Sequence, residues 1–474
     1  MPTNHIILFR PDIEIEFSDA NPPIGLGYLA ACLEKYGFPV SIVDLALWRL
    51  SEDDVIRFIK NKNPLFVGIT ALTSYYNGMK KLSRVIKSKC PDTTLVLGGV
   101  HVSSLPQESM RECQADFLVL GEGEDTVVEL ATALRSDVGG FEKIKGIAFW
   151  RNGEVIITEE RQLIENLDTL PFPSWHKINP NKYPKTPHGF IMVHKNIAPI
   201  LSSRGCPYSC SYCASCRFWH QRIRFRSPVN VVDEIEFLYT EYGIREFTFW
   251  DDNLTLKHSH IEGICKEILK RHIHALFSTP NGVRVDTLDE PMLRLMHRAG
   301  FYYLTFAVES GSAKVLRDNQ KYTSLKKIAK IAKIAHDLGF ELNSFFIFGF
   351  ENETIEDIKK TIKLAKALPF NMKTFFILKP LPGSQIFERW SKNVDLTGFD
   401  WGQTNYWDDK MSVSRLGPAV AKKWRQKAYI ETIIRFPDFV QYLIYRFIKR
   451  GHWYQFKYLF KKVFYIIRGQ FLKG

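Results

Sequence analysis

The chain has 474 residues, 45% of them hydrophobic and 14% aromatic, which suits two to four domains with sizeable cores and excludes extended disorder. Its formal charge of +13 sits at one end. From Gly417 onward thirteen Lys and Arg face only Glu431 and Asp438, leaving about +2 for the rest, so basicity is a property of the tail and not of the whole chain.

The N-terminus, Met1-Pro2-Thr3-Asn4-His5, lacks a basic n-region and a long apolar core. No run approaches the roughly 18 apolar residues of a membrane span. Of the eight cysteines, Cys206, Cys210, Cys213 and Cys216 fall within eleven residues, while Cys32, Cys90, Cys113 and Cys265 are scattered. That distribution argues against a secreted disulfide framework and for a reducing compartment, so a cytoplasmic location is expected.

Over residues 1–139, short β-type runs alternate with amphipathic stretches. The strand candidates are His5–Phe9, Val40–Leu45, Leu65–Thr70, Thr94–Gly98 and Phe117–Leu120, and the helical patterns are Ile24–Lys35, Glu52–Lys60, Tyr76–Ser88 and Asp125–Leu134. Near-continuous apolar strands separated by helices predict a doubly wound, Rossmann-like parallel sheet covered on both faces. Ligands of such sheets lie beyond the carboxyl ends of the strands. The glycine and small polar residues fall there: Pro22-Pro23-Ile24-Gly25-Leu26-Gly27, Thr70–Ser74, Gly98-Gly99-Val100-His101, and Gly121-Glu122-Gly123-Glu124. Glycine there lets the backbone approach a ligand, although each glycine would equally serve a chain reversal.

In series these segments resemble the cobalamin-binding domain that precedes the barrel in one large subclass of the radical S-adenosylmethionine (SAM) enzymes. The resemblance implies that Pro23, Gly25, Thr70, Ser74, Gly98, Gly99, His101, Gly121, Glu122 and Gly123 belong to a cobalamin site. The Asp-x-His-x-x-Gly motif, whose histidine ligates cobalt from below in many cobalamin domains, is absent here. His101 lies in a different loop and is not assigned as a lower ligand.

Residues 140–195 read as a connector. Gly146–Trp150 and Glu154–Thr158 flank Asn152-Gly153, a hairpin signal. Leu170-Pro171-Phe172-Pro173-Ser174-Trp175 follows, its prolines enforcing extended backbone in a packed linker. His188 and His194 read as structural or exposed.

Residues 196–395 open on Ser202-Ser203-Arg204-Gly205-Cys206-Pro207-Tyr208-Ser209-Cys210-Ser211-Tyr212-Cys213. Three close thiolates form a soft-metal site, and cysteine is the usual ligand of iron–sulfur clusters. A cubane with three protein ligands leaves one iron open. The rival is a zinc site, with Cys216 as its fourth ligand. Strand patterns then recur at Ile244–Trp250, Ala275–Thr279, Tyr303–Val308, Ser344–Phe348 and Phe375–Leu378, separated by helical patterns. Counting the unit that starts at the cysteine loop, six βα units predict a partial (β/α)6 barrel whose strand ends converge on one cavity.

The spacing C-x3-C-x-aromatic-C resembles the radical SAM signature, and the barrel agrees. The resemblance implies that Cys206, Cys210 and Cys213 hold a [4Fe–4S] cluster, with Tyr212 near the SAM adenine. It implies Asp251 and Asp252 at the methionine amine, Glu309 and Ser310 at the ribose, and Gly349 by the adenine. Arg284 is suggested for the SAM carboxylate. Read without the resemblance, Asp251 and Asp252 serve equally as helix caps and Gly349 as a turn residue.

Residues 396–474 form a basic, aromatic, helical region. In Phe456–Ile467 the bases Lys457, Lys461 and Lys462 lie roughly opposite Phe456, Leu459, Phe460, Val463 and Ile467. Such a helix suits a membrane interface. Single-stranded nucleic acid and plain packing on the barrel are the other readings. The leading functional expectation is a cobalamin-dependent radical SAM C-methyltransferase acting on a small, lipid-like molecule, reduced by a flavodoxin or ferredoxin and touching a membrane through its tail. Cobalamin-assisted cyclisation or rearrangement is the alternative. A methylthiotransferase acting on tRNA and a cobalamin sensor rank lower, because no basic RNA module follows the barrel and a sensor has no need of a full SAM site.

Overall fold

A computed structural model of the chain describes residues 3–12, 21–136, 139–183, 193–194, 196–406 and 408–432. His188 and the Phe456–Ile467 pattern lie outside these residues. The chain divides into two compact units that interleave in sequence. The first draws on Met1–Gly189, Ala198–Gly243 and Pro380–Asp408; the second draws on Phe190–Ile197, Ile244–Lys379 and the described part of Asp409–Gly474.

The first unit is built on a sheet of seven strands: β1 (Ile6–Arg10), β2 (Val40–Asp44), β3 (Phe66–Thr70), β4 (Leu95–Gly98), β5 (Phe117–Val119), β6 (Ile147–Arg151) and β7 (Glu154–Ile157). Their order is β2-β1-β3-β4-β5-β6-β7. The first five run parallel, in the order of a doubly wound fold whose switch point lies between β1 and β3. The apolar strand runs predicted from sequence are all strands here, with ends shifted by one or two residues. Each central strand is buried on both faces, as a parallel sheet between helices requires.

The Asn152-Gly153 hairpin forms, with Asn152 at φ 52° and Gly153 at φ 83°, both in the left-handed region that a two-residue hairpin turn demands. It extends the N-terminal sheet, because β6 pairs antiparallel with β5 and Trp150 Nε1 donates to the Ala115 carbonyl at 2.9 Å. The proline segment anchors Trp175, which is 2% exposed and donates from Nε1 to Glu234 Oε1 at 2.9 Å. A Cβ on Gly27 would stand 2.6 Å from Ile178 Cδ1 and 2.8 Å from Pro173 Cβ, so that glycine admits the linker. Residues 380–408 also join this unit, and Phe387 and Trp401 enter its core.

The second unit carries a parallel sheet. Its strands are β11 (Glu246–Phe249), β12 (Leu276–Val283), β13 (Phe301–Glu309), β14 (Glu341–Phe348) and β15 (Met372–Ile377), and β8 (Ile197–Ile200) starts there. The sheet order is β15-β14-β13-β12-β11-β8, that of consecutive βα units winding in one direction. The intervening helices His258–Lys270, Glu290–Arg298, Leu325–Asp337 and Ile355–Ala367 match the sequence patterns closely. Asp289, Ser324 and Thr354 cap the last three, Thr354 through a reciprocal capping box with Asp357. Such caps contribute about 1 kcal/mol each.

The start of the basic tail packs on this unit. Helix Gly417–Thr432 buries Ala421, Ala428, Tyr429 and Thr432, and the Tyr429 hydroxyl accepts from the Phe375 N–H at 3.1 Å.

Candidate cofactor-binding site

In the first unit, strand-end loops crowd together at the carboxyl edge of β3, β4 and β5. Gly99, at φ 106°, could not carry a side chain: its Cβ would stand 2.7 Å from the Ala71 carbonyl oxygen and 3.0 Å from Thr70 Oγ1. The Gly121 N–H donates to Ser103 Oγ at 3.0 Å, tying the turn after β5 to the helix after β4. Among the described residues, a Cβ built on Gly25 or Gly121 meets nothing within 4 Å, so the backbone there is open. Pro23 is buried and Gly25 exposed at the start of helix Ile24–Lys35, while Thr70, Ser74 and Gly98 are half-buried.

His101 points into the core. It is 1% exposed, stacks on Tyr76 at 3.8 Å between ring centroids and meets Trp401 edge-on at 4.6 Å. Burial, with a smaller push from Lys80, depresses its pKa to about 3, so the ring is neutral. Neither ring nitrogen has a hydrogen-bond partner among the described residues.

The cysteine loop belongs to the same unit. It is closed by a two-stranded antiparallel ribbon, β9 (Ser203–Gly205) with β10 (Ile223–Phe225), in which Arg204 stands opposite Arg224. Gly205 has φ 98°, and a Cβ there would lie 2.1 Å from the Arg222 carbonyl oxygen. Gly205 in the lead-in is therefore a backbone requirement. Cys206, Tyr212 and Cys213 are half-buried and Cys210 is buried. The Cys213 N–H donates to the Cys210 carbonyl at 3.0 Å, and the Ser211 carbonyl accepts from the Ile386 N–H at 3.0 Å. The Cys216 thiol donates back to the Cys213 carbonyl at 3.1 Å. All eight cysteines are thiols, none in a disulfide.

Buried ion pairs surround the loop. Arg204 donates to Glu122 Oε1 at 2.7 Å and to Glu124 Oε1 at 2.6 Å. Arg224 donates to Glu122 Oε2 at 2.6 Å, and the Ile164 N–H adds a bond to the same oxygen at 2.8 Å. Burial alone would raise the Glu122 pKa; the Arg224 and Arg204 guanidinium groups outweigh it and hold the carboxyl below its usual value. The Glu122 side chain is thus engaged by protein, and Gly121 is the open part of the turn.

In the second unit the expected SAM residues stand at strand ends. Asp251 is buried and Asp252 exposed just beyond β11. Arg284 follows β12, with Nε 3.1 Å from Asp286 Oδ2 and Nη2 on the Tyr322 carbonyl. Glu309 ends β13 at φ 65°, a backbone strain of order 1–3 kcal/mol, with Oε1 3.3 Å from Lys321 Nζ. Ser310 Oγ lies 3.1 Å from Thr361 Oγ1. Gly349 ends β14 at φ 88°, and its N–H donates to Glu353 Oε2 at 2.7 Å.

Glu353 escaped the sequence reading. It is 3% exposed, Oε1 has no partner among the described residues, and burial lifts its pKa to about 8. Its signal is an acid four residues after a strand-end glycine, just ahead of the Thr354 cap. Glu124, Arg224 and Lys321 were missed too, because an ion-pair partner is chosen by tertiary contact.

The B12 binding domain family matches residues 15–131, and the Radical SAM superfamily matches residues 200–365. An uncharacterised methyltransferase of Pyrococcus horikoshii is 32% identical over 417 residues, 87% of this chain and 88% of that protein. The chain belongs to the cobalamin-dependent radical SAM enzymes. Cytidylyl-2-hydroxyethylphosphonate methyltransferase of Streptomyces wedmorensis is 31% identical, over 80% of this chain and 79% of that one. Anaerobic magnesium-protoporphyrin IX monomethyl ester cyclase of Rubrivivax gelatinosus is also 31% identical, over 81% and 69%. The fold is shared with the radical SAM methyltransferase TsrM of Kitasatospora setae with cobalamin and a [4Fe-4S] cluster bound (TM-score 0.68, 19% identity, 81% of this chain and 74% of that chain). It is shared also with the cobalamin-dependent enzyme OxsB bound to aqua-cobalamin and SAM (TM-score 0.65, 18% identity, 76% and 52%).

The residues present fit the cofactors of this family. Gly25 and Gly121 each leave open space among the described residues where a Cβ would stand, which lets a large ligand approach the backbone after β1 and β5. Among the described residues no three His, Cys, Asp or Glu side chains gather as ligands of one ion. Cluster cysteines bind three different irons, so they need not converge on a point as zinc ligands must.

Proposed function

We propose that this enzyme methylates an unactivated carbon of a small, apolar or lipid-like molecule. The observation that carries methylation is the extent of the match: the chain spans 88% and 79% of two relatives named as methyltransferases, against 69% of the cyclase. When bound, cluster and SAM supply a 5′-deoxyadenosyl radical and cobalamin supplies a transferable methyl group.

The chain's own residues then have these roles. Cys206, Cys210 and Cys213 hold the cluster, and Tyr212 and Gly349 flank the adenine. Asp251, Asp252 and Arg284 meet the methionine end of SAM, and Glu309 and Ser310 meet the ribose. Pro23, Gly25, Thr70, Ser74, Gly98, Gly99 and Gly121 line the cobalamin edge, with His101, Glu122 and Gly123 behind it. Carboxylates suit an ammonium and sugar hydroxyls, and the open glycine backbone suits a bulky ring.

A flavodoxin or ferredoxin supplies the electron. A lipid-like substrate is inferred from the basic, aromatic composition of the tail. The described residues contain no helix long and apolar enough to cross a membrane, and contact at a membrane surface would fall to the tail beyond Thr432.

The test is anaerobic reconstitution with iron, sulfide and hydroxocobalamin, followed by SAM with a deuterated methyl group and candidate lipids. Label in a product together with 5′-deoxyadenosine supports methylation. Deoxyadenosine without label transfer favours cyclisation, the second reading, which the 31% identity to the cyclase keeps in view. A protein that never retains cobalamin refutes both.

A further inference from the structure

The cysteine loop is held at both ends by one buried ionic network. Arg204 immediately precedes Gly205-Cys206, and Arg224 stands across the ribbon at the other foot. Both reach the same short turn after β5, where Glu122 accepts from the two arginines and Glu124 takes the second prong of Arg204. The four side chains are between 3% and 10% exposed. The guanidinium groups also lie over aromatic faces, Arg204 5.0 Å from the Tyr28 ring centroid and Arg224 5.3 Å from that of Trp219. Tyr28 belongs to the helix that follows β1, so Arg204 alone touches that helix as well as the segment after β5.

Burial would push the Arg204 guanidinium toward neutrality, and Glu124 and Glu122 more than reverse it. Ion pairs this deep add little net stability, because desolvation offsets the attraction, but they are strict about geometry. A forked guanidinium reading two carboxylates cannot be replaced by an ammonium without loss of a prong.

We propose that Arg204 and Arg224 are positioning residues: gripping Glu122 and Glu124, they clamp both feet of the cysteine loop to the turn after β5 and fix where Cys206, Cys210 and Cys213 stand relative to the cobalamin edge. The clamp rests on the cofactor assignment above only for its consequence; its mechanical part belongs to the apoprotein. Both terminal nitrogens of Arg204 are engaged, Nη1 by Glu122 and Nη2 by Glu124.

Two readouts on the full chain test this. In the apoprotein, Arg204→Lys and Glu124→Gln are compared with wild type by amide hydrogen exchange. The clamp predicts that exchange rises about tenfold in segments 203–225 and 119–126 together, while β1, β3 and β4 keep their protection. Unchanged exchange, a rise in only one segment, or a rise through the whole sheet would each overturn it; the last would make Arg204 ordinary core support. The second readout uses protein loaded with iron, sulfide and hydroxocobalamin and then reduced. The distance distribution between the paramagnetic cluster and cob(II)alamin, measured by pulsed electron paramagnetic resonance, should broaden in Arg204→Lys and, to a lesser degree, in Glu124→Gln, which leaves the Glu122 prong in place. An unchanged distribution in Arg204→Lys with both cofactors retained refutes the positioning role. Failure of the wild type to take up cobalamin would instead refute the cofactor assignment and leave the exchange result standing.

Discussion

Glu353 should make the second unit's stability fall as pH rises across neutrality, and Glu353→Gln should remove that slope. The carboxyl is buried beneath the turn at Gly349, whose N–H it binds at 2.7 Å. Burial raises its pKa from 4.5 to about 8; the Gly349 N–H pulls it back in part, and Asp357 adds a smaller upward push. Below pH 4.5 native and unfolded chains both carry the proton, and the contribution to stability is complete. Between 4.5 and about 8 the unfolded chain releases the proton while the native one keeps it, so stability declines. The decline is at most about 1.4 kcal/mol per pH unit. From pH 6 to 7.5 that amounts to about 2 kcal/mol, a large share of the roughly 5–15 kcal/mol that holds a typical domain. Above about 8 the native group ionises too and the slope vanishes. Glutamine keeps an acceptor for the Gly349 N–H and does not titrate. Urea unfolding of both proteins from pH 5 to 8 gives the difference in stability, in which the other titrating groups cancel. If the two curves run parallel across that range, the carboxyl is not buried as a neutral acid and the reasoning fails.

Gly205→Ala places a Cβ where the Arg222 carbonyl oxygen now lies at 2.1 Å and adds about 1–2 kcal/mol of left-handed strain; iron and sulfide content after reconstitution should fall while the N-terminal sheet stays folded. Alanine at any one of Cys206, Cys210 or Cys213 should abolish retained iron, whereas Cys216→Ala, which removes only a thiol donor to the Cys213 carbonyl, should keep it. Gly99→Ala meets the Ala71 carbonyl at 2.7 Å and should weaken cobalamin retention by about tenfold or more, near 1.4 kcal/mol, as measured by equilibrium dialysis. Tyr429→Phe removes the hydroxyl that bonds the Phe375 backbone and should cost about 1 kcal/mol, read as a lower melting temperature.

Much of this protein is local information. Apolar runs bounded by glycine locate the strands because a buried parallel strand needs an unbroken apolar segment, and the cysteine spacing exposes the thiolate loop because three thiols on one short loop are set by chain length alone. Asn152-Gly153 announces a hairpin through its own backbone preference. None of these states what the element packs on. That the hairpin extends the N-terminal sheet through β5 follows from pairing between residues about thirty positions apart, and that residues 380–408 return to the first unit with Trp401 in its core follows from contacts between residues about three hundred apart.

The sequence by itself determined the class: a doubly wound domain, a thiolate loop, a train of βα units and a basic tail, each written in periodicity or spacing. The tertiary structure alone decided the partners of the charged residues. Glu122 looked like part of a ligand loop, yet its carboxylate belongs to Arg204 and Arg224. His101 looked like a polar loop residue, yet it lies between Tyr76 and Trp401. Glu353 left no mark beyond a lone acid before a helix cap. The physical reason is the same in all three: a side chain's charge state and role depend on desolvation and on the group opposite it, and both arise only when distant segments close around it.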